Sequence, residues 1–194
     1  MQETTLFPTL LLEDFPDINN EILLEACYDL KKQSPHNESP GGWQSDWSLK
    51  DDRFDELKKR VQGMMDTVQK HYYHIDKPIK ITNEWVNINY PKGDTNNINQ
   101  VHMHDRNVLS CVYYVQADNH CGNLTLMAPH QLYDFAVPYR YIKQPNAWNS
   151  TRFSIKPEPG KLVCFPSYLL HSADINHSNR DRISIAFNGD INET

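Results

Sequence analysis

Apolar residues recur at helical spacing near the start of the chain. Ile22, Leu23, Ala26, Cys27 and Leu30 share one helical face, and Asp17 or Asn19 stands where a cap would open the helix. Pro35 should stop it. Residues 34–50 hold Ser34, Pro35, Pro40, Gly41 and Gly42, so the spacing predicts a loop there, carrying Trp43 and Trp47. Phe54, Leu57, Val61, Met64, Met65 and Val68 mark a second amphipathic helix over 52–71. Both helices read as packing support for a sheet.

From residue 82 the period changes to two. Trp85, Asn87 and Asn89 alternate with Val86, Ile88 and Tyr90. Val108 to Gln116, Leu124 to Met127, Arg152 to Lys156, Lys161 to Phe165, Leu169 to His171 and Arg182 to Phe187 follow as strand-like runs. Turn residues separate them: Pro91 to Asp94, Asn119 to Gly122, Pro157 to Gly160 and Asn176 to Asn179. Many short strands without intervening helices predict an antiparallel sandwich or barrel. The aperiodic stretch 128–150 reads as a lid or edge insertion.

A chain of 194 residues suits one domain, 1–194, with a helical region over 1–81 and a β core over 82–194. Nineteen Lys and Arg against twenty-five Asp and Glu give a net charge of −6, which argues against an extended nucleic-acid groove. No apolar run is long enough to span a membrane. Met1 to Asp14 lacks a basic segment, and Pro8 and Glu13 bracket its leucines, so a signal peptide is not expected and a cytoplasmic location is. Cys27, Cys111, Cys121 and Cys164 form no C-x-x-C pair and read as reduced, buried thiols. Oligomeric state is left open by this pattern.

P-loop, dinucleotide, zincin and nucleophile-elbow signatures are all missing. What remains is a set of histidines. On a regular strand His102 and His104 project the same way, and His171 follows some seventy residues later. Two imidazoles from one strand and a third from a neighbour could make a three-point facial metal site, suited to iron, zinc, copper or nickel. Eleven positions past His171 stands Arg182, with Ser184 on the same strand face. Arg182 offers a bidentate fork to a carboxylate, and Ser184 a hydroxyl. Among Ile183, Ile185, Ala186 and Phe187, an inward Arg is costly unless an anion meets it. The competing reading is a structural ion pair with Asp174 or Asp181.

His-x-His/Asp, a distant His and Arg-x-Ser beyond it resemble the iron(II)/2-oxoglutarate oxygenases. Leu6 to Thr9, Gly41 to Ser45, Leu109 to Val115, Phe165-Pro166-Ser167 with His171, and Arg182 to Asn188 resemble a 2-oxoglutarate/iron(II) oxygenase family of marine bacteria and phages, within the prolyl-hydroxylase-like superfamily. The resemblance implies a fold: α+β, a double-stranded β-helix (a cupin-like jelly roll) with N-terminal supporting helices. It also implies two cofactors, Fe(II) and 2-oxoglutarate. Iron(II) would sit on His102, His171 and either His104 or Asp105, and Arg182, helped by Ser184, would anchor the C5 carboxylate. Tyr114, on the face of Ser110 and Val112, would be a further cosubstrate contact or a core residue. Molecular oxygen and a small-molecule or peptide substrate would be the partners, with succinate, CO2 and a hydroxylated product released.

The superfamily usually places a carboxylate two residues after the first His, where this chain has His104. Asp105 lies one residue further and would face away on a regular strand, unless a bulge redirects it. Strand parity favours His104. Two rival readings stand beside the oxygenase: a three-histidine cupin dioxygenase that needs no oxo acid, and a metal-binding jelly roll without turnover.

Overall fold

The computed structural model describes residues 2, 4–39, 41–91, 99–129 and 138–191. Helix α1 spans Asn20–Gln33, and the Asn19 side chain accepts from the N–H groups of Glu21 and Ile22. It buries Leu23, Ala26 and Cys27. Helix α2 spans Asp55–Val68 and buries Leu57, Val61, Met65 and Val68. The expected helix over 52–71 is thus tightened at its start into a 3-10 turn, Asp52–Phe54. At its end it widens into a π turn, Gln69–Tyr73, and stops at His74 in the left-handed region.

Eleven strands follow one another among the described residues: β1 (Leu12–Asp14), β2 (Glu38–Ser39), β3 (Gly42–Gln44), β4 (Ile79–Asn89), β5 (Asn99–His102), β6 (Leu109–Gln116), β7 (Leu124–Met127), β8 (Arg152–Ile155), β9 (Leu162–Pro166), β10 (His171–Ala173) and β11 (Arg182–Ile191). They form a seven-stranded sheet, ordered β1-β9-β6-β11-β4-β3-β2, and a four-stranded sheet, ordered β5-β10-β7-β8. Every pairing is antiparallel. Two such sheets facing each other, with two helices, are the jelly-roll form of the double-stranded β-helix.

Strands β1, β2 and β3 are too short to leave a period, so the pattern predicted none of them. The expected loop at 34–50 contains β2 and β3, and the region expected to be helical supplies three strands to the large sheet. Gly42, at φ 145°, lets β3 approach β4 so closely that a Cβ would collide with the Ile88 carbonyl. The strand expected at Leu169 to His171 begins only at His171, because Leu169 closes a turn onto the Pro166 carbonyl at 3.1 Å. The turn at Pro91 to Asp94 and the insertion at 128–150 lie partly outside the described residues.

Two apolar cores flank the large sheet. On its outer face Ile183, Ile185 and Phe187 pack with Leu57, Val61 and Met65 of α2. Burying one such side chain contributes about 1.5–3 kcal/mol. Between the sheets lie Tyr114, Leu124, Leu126, Ile155, Val163, Phe165 and Leu169. Alternation along β11 therefore sends its isoleucines to the helices and Arg182, Ser184 and Ala186 to the other face, where a cavity opens. Among the described residues, no helix is long and apolar enough to cross a membrane.

Candidate active site

The cavity between the sheets has a volume of about 650 Å³ and holds every residue singled out above: His102, His104, Asp105, Tyr114, His171, Arg182 and Ser184. The two registers that join β4, β11 and β6 order one wall into rungs. Asn89 pairs with Arg182; Asn87 and Tyr114 flank Ser184; Trp85 and Val112 flank Ala186; Asn83 and Ser110 flank Asn188. All of these side chains line the cavity.

His171 of β10 lies directly opposite His102 of β5. His104 reaches the same place by another route than strand parity. Strand β5 ends at His102, and His104 lies beyond it, its N–H tethered to the Ser167 carbonyl at 3.1 Å. Ring centroids stand 4.3 Å apart for His102 and His171, 5.0 Å for His102 and His104, and 5.2 Å for His104 and His171. One ring nitrogen from each lies within 4.8 Å of the other two. Asp105 is exposed and stands outside this group.

Backbone carbonyls set the imidazole tautomers. Nδ1 of His102 lies 2.6 Å from the Gln100 carbonyl, and Nδ1 of His171 lies 2.8 Å from that of Leu169. A carbonyl only accepts, so each Nδ1 carries the proton and each Nε2 keeps its lone pair. Burial, assisted by the neighbouring His102, pushes His104 down to about 4. Burial also lowers His171 to about 4, against the pull of its bond to Leu169. Both are neutral bases at neutral pH. Three imidazole nitrogens within 4.8 Å of one another are a fitting donor set for a divalent first-row metal.

Arg182 is 2% exposed. Its Nε and Nη2 donate to Asn89 Oδ1 at 3.3 and 3.1 Å. Its Nη1 donates to the carbonyls of Cys121, Gly122 and Asp174 at 2.9, 3.0 and 3.2 Å. Asp174 thus offers its backbone and not its carboxylate, while Asp181 accepts from the Tyr28 hydroxyl. Among the described residues no carboxylate forms an ion pair with Arg182. Burial lowers its pKa, but a guanidinium keeps its charge, so the cavity contains a buried cation that no anion among the described residues neutralises. Ser184 and Tyr114 stand beside it on paired strands. Burial raises the Tyr114 phenol, with the Arg182 charge opposing, so its hydroxyl stays protonated and able to donate.

The sequence reading missed Asn89 as the holder of Arg182, and it missed the tryptophan contacts. Trp85 meets the His104 ring edge-on at 5.7 Å, and Trp47 meets Trp85 at 6.3 Å. Their signal was visible as a polar and aromatic face, Asn83 to Asn89, on a central strand whose other face buries Val86 and Ile88.

A family model described as "Putative 2OG-Fe(II) oxygenase" matches residues 83–188, more than half the chain. The chain belongs to this 2-oxoglutarate/iron(II) oxygenase family. It is an oxygenase that uses iron(II) and 2-oxoglutarate, and its prime substrate is unidentified. Solved structures share the fold. A prolyl-4-hydroxylase of Pseudomonas putida matches over 95% of this chain and 94% of its own at 14% identity, with a TM-score of 0.67. A viral collagen prolyl hydroxylase of Paramecium Bursaria Chlorella virus-1 covers 98% of both chains at 14% identity, with a TM-score of 0.61. The carbocyclase SnoK from nogalamycin biosynthesis covers 93% of this chain and 79% of its own at 11% identity, with a TM-score of 0.65. No curated protein matches the sequence.

Proposed function

We propose that His102, His104 and His171 hold the iron(II), and that Arg182, with Ser184 and Tyr114, receives the C5 carboxylate of 2-oxoglutarate. The reaction we assign is hydroxylation of a substrate C–H bond. One atom of O2 enters that bond and the other enters succinate, with CO2 released. Bound iron supplies the oxygen activation and the redox change. The chain's own residues supply geometry. The carbonyls of Gln100 and Leu169 orient two imidazoles through Nδ1, and the Ser167 carbonyl holds the backbone N–H of His104. Val112, Leu124 and Phe165 line the cavity with apolar surface that limits water around the reacting carbon.

The observation that carries this reading is the uncompensated Arg182 cation in the same cavity as the three imidazoles. His104 touches the Trp85 rung, four residues along the sheet from the Arg182 rung, a separation of roughly 13 Å at the usual strand rise. An Arg side chain and a five-carbon dicarboxylate together fill that gap. Asp105 has no ligand role in this assignment.

The test is calorimetric titration of 2-oxoglutarate into the Mn(II)-loaded protein, for the wild type and Arg182→Ala. Strong weakening in the variant supports the anchor, and equal affinity removes it. Succinate release in air with iron(II) separates this function from a dioxygenase that needs no oxo acid.

A further inference from the structure

One rung of the wall lies beyond the imidazoles, on the side away from Arg182. His104 touches Trp85. Two residues further along β4, roughly 7 Å at the usual strand rise, Asn83 stands directly opposite Asn188 of β11. Both side chains line the cavity. Asn83 Oδ1 is buried and has no donor. Asn188 is 3% exposed, and its Oδ1 accepts from the Ser110 hydroxyl at 2.9 Å. Ser110 is in turn paired with the Ser167 hydroxyl at 2.8 Å, which fixes the Asn188 amide in place. Among the described residues Asn188 Nδ2 donates to nothing. The rung thus presents one unused acceptor beside one unused donor, a costly arrangement unless a ligand completes it.

This end holds no positive charge. Among the described residues that line the cavity, Arg182 is the only cation apart from the histidines, and it stands three rungs away. Asp105 is close instead. Its carbonyl accepts from the Asn107 amide at 3.1 Å, and Asn107 Oδ1 accepts from Thr82, the neighbour of Asn83, at 3.1 Å. A phosphate or carboxylate would meet a like charge and no partner here. Trp85 and the exposed Trp47, whose ring centroids lie 6.3 Å apart, give the adjoining wall flat apolar faces.

We infer that Asn83 and Asn188 together read the edge of a neutral cyclic amide, a ring of the lactam or unphosphorylated pyrimidine type, and that such a ring is the substrate. This rests on the oxygenase site proposed above. The ring N–H donates to Asn83 Oδ1, and the adjacent ring carbonyl accepts from Asn188 Nδ2. The soft terminal torsion of Asn83 lets its amide turn to meet the donor. A ring forces its amide to be cis, which places N–H and C=O on one edge. A trans peptide bond points them to opposite sides and can satisfy only one of the two residues. With that edge held at the Asn83 rung, the opposite edge faces back along the sheet to Trp85 and the imidazoles. A C–H bond there is the one that breaks. One atom of O2 enters it as a hydroxyl, and the other enters succinate as 2-oxoglutarate loses CO2.

The test uses protein loaded with Mn(II) and 2-oxoglutarate under nitrogen, read by calorimetry. The probes are thymidine, hydantoin and δ-valerolactam, with N3-methylthymidine, thymidine 5′-monophosphate, maltose and a neutral acetylated, amidated dipeptide beside them. At least one of the three cyclic amides should bind saturably. Blocking the ring N–H or adding the phosphate should weaken thymidine at least about tenfold. In air with iron(II), the bound ring should gain the mass of one oxygen atom. Asn83→Leu, close in shape, removes an oxygen that the fold leaves unpaired. It should therefore keep or raise the melting temperature and keep 2-oxoglutarate affinity, while ring binding falls at least about tenfold. Asn188→Asp keeps the oxygen that accepts from Ser110 and turns the donor into an acceptor, with the same loss of ring binding. Binding by maltose or the dipeptide in place of the cyclic amides, equal binding after N-methylation, full ring binding by Asn83→Leu, or no ring binding while 2-oxoglutarate still binds would each overturn the inference. Failure of 2-oxoglutarate itself to bind would bring down the site assignment beneath it.

Discussion

The two ends of this cavity are built on opposite plans. At the Arg182 end the guanidinium is fastened by one carboxamide and three carbonyls before any ligand arrives. At the Asn83 end the buried Asn83 Oδ1 has no hydrogen-bond partner among the described residues, and the exposed Trp47 stands against Trp85 of the next rung. The first plan suits a ligand that never changes, because an anchor fixed in advance loses little freedom on binding. The second suits a partner that completes the site itself. The rigid end is where residue type alone determines chemistry; the open end is where chemistry depends on what enters.

Removing the anchor should give the largest effect. Arg182→Ala should cost about 2–5 kcal/mol of 2-oxoglutarate binding, as for a truncated buried charge pair. It also strands the carbonyls of Cys121, Gly122 and Asp174, so its melting temperature should fall. Arg182→Lys should recover only part of the affinity, since one ammonium cannot hold Asn89 and the three carbonyls that fix the charge in place. Calorimetry on the Mn(II)-loaded variants, with thermal melts of the same samples, measures both effects. An Arg182→Ala protein that binds the cosubstrate normally would erase the distinction between the two ends.

Asn89→Asp sharpens the comparison with a near-isosteric change. It would give Arg182 the carboxylate partner it lacks and set a negative charge beside the incoming C5 carboxylate. Affinity for 2-oxoglutarate should drop at least tenfold, about 1.4 kcal/mol, with metal affinity and fold retained. Undiminished cosubstrate affinity would mean that the neutrality of Asn89 does not matter to the anchor.

Smaller effects belong to the hydroxyls. Ser184→Ala and Tyr114→Phe should each weaken 2-oxoglutarate by about 0.5–1.5 kcal/mol, the net value of one hydrogen bond. The two should be non-additive, because the residues lie opposite one another on paired strands. Full additivity in the double variant would place them on separate parts of the ligand.

The legibility of the sequence follows the same divide. Long strands such as β4 and β11 announced themselves by alternation, and the inward Arg182 stood out because an isolated cation among apolar residues has few uses. His102, His104 and His171 were readable as a candidate set from residue type and spacing. The tether that actually gathers His104 was not, since it runs from Ser167, more than sixty residues away in the chain. Strands β1 to β3 were invisible for a different reason: two or three residues cannot show a period, and Gly42 marks a close approach that only tertiary structure reveals. Asn89 looked like one more polar residue in an alternating strand, and only its register opposite Arg182 gives it a task.

The central claim, that three imidazoles and not Asp105 hold the metal, is met most directly by one spectroscopic titration. Iron(II) and 2-oxoglutarate are added anaerobically to the wild type, His104→Ala, His171→Ala and Asp105→Ala, and the weak visible metal-to-ligand charge-transfer band of the bound pair is followed. The band should form in the wild type and in Asp105→Ala, and be lost in His104→Ala and His171→Ala, with all four proteins folded by circular dichroism. A full band in His104→Ala together with its loss in Asp105→Ala would contradict the assignment and make the exposed carboxylate the third ligand.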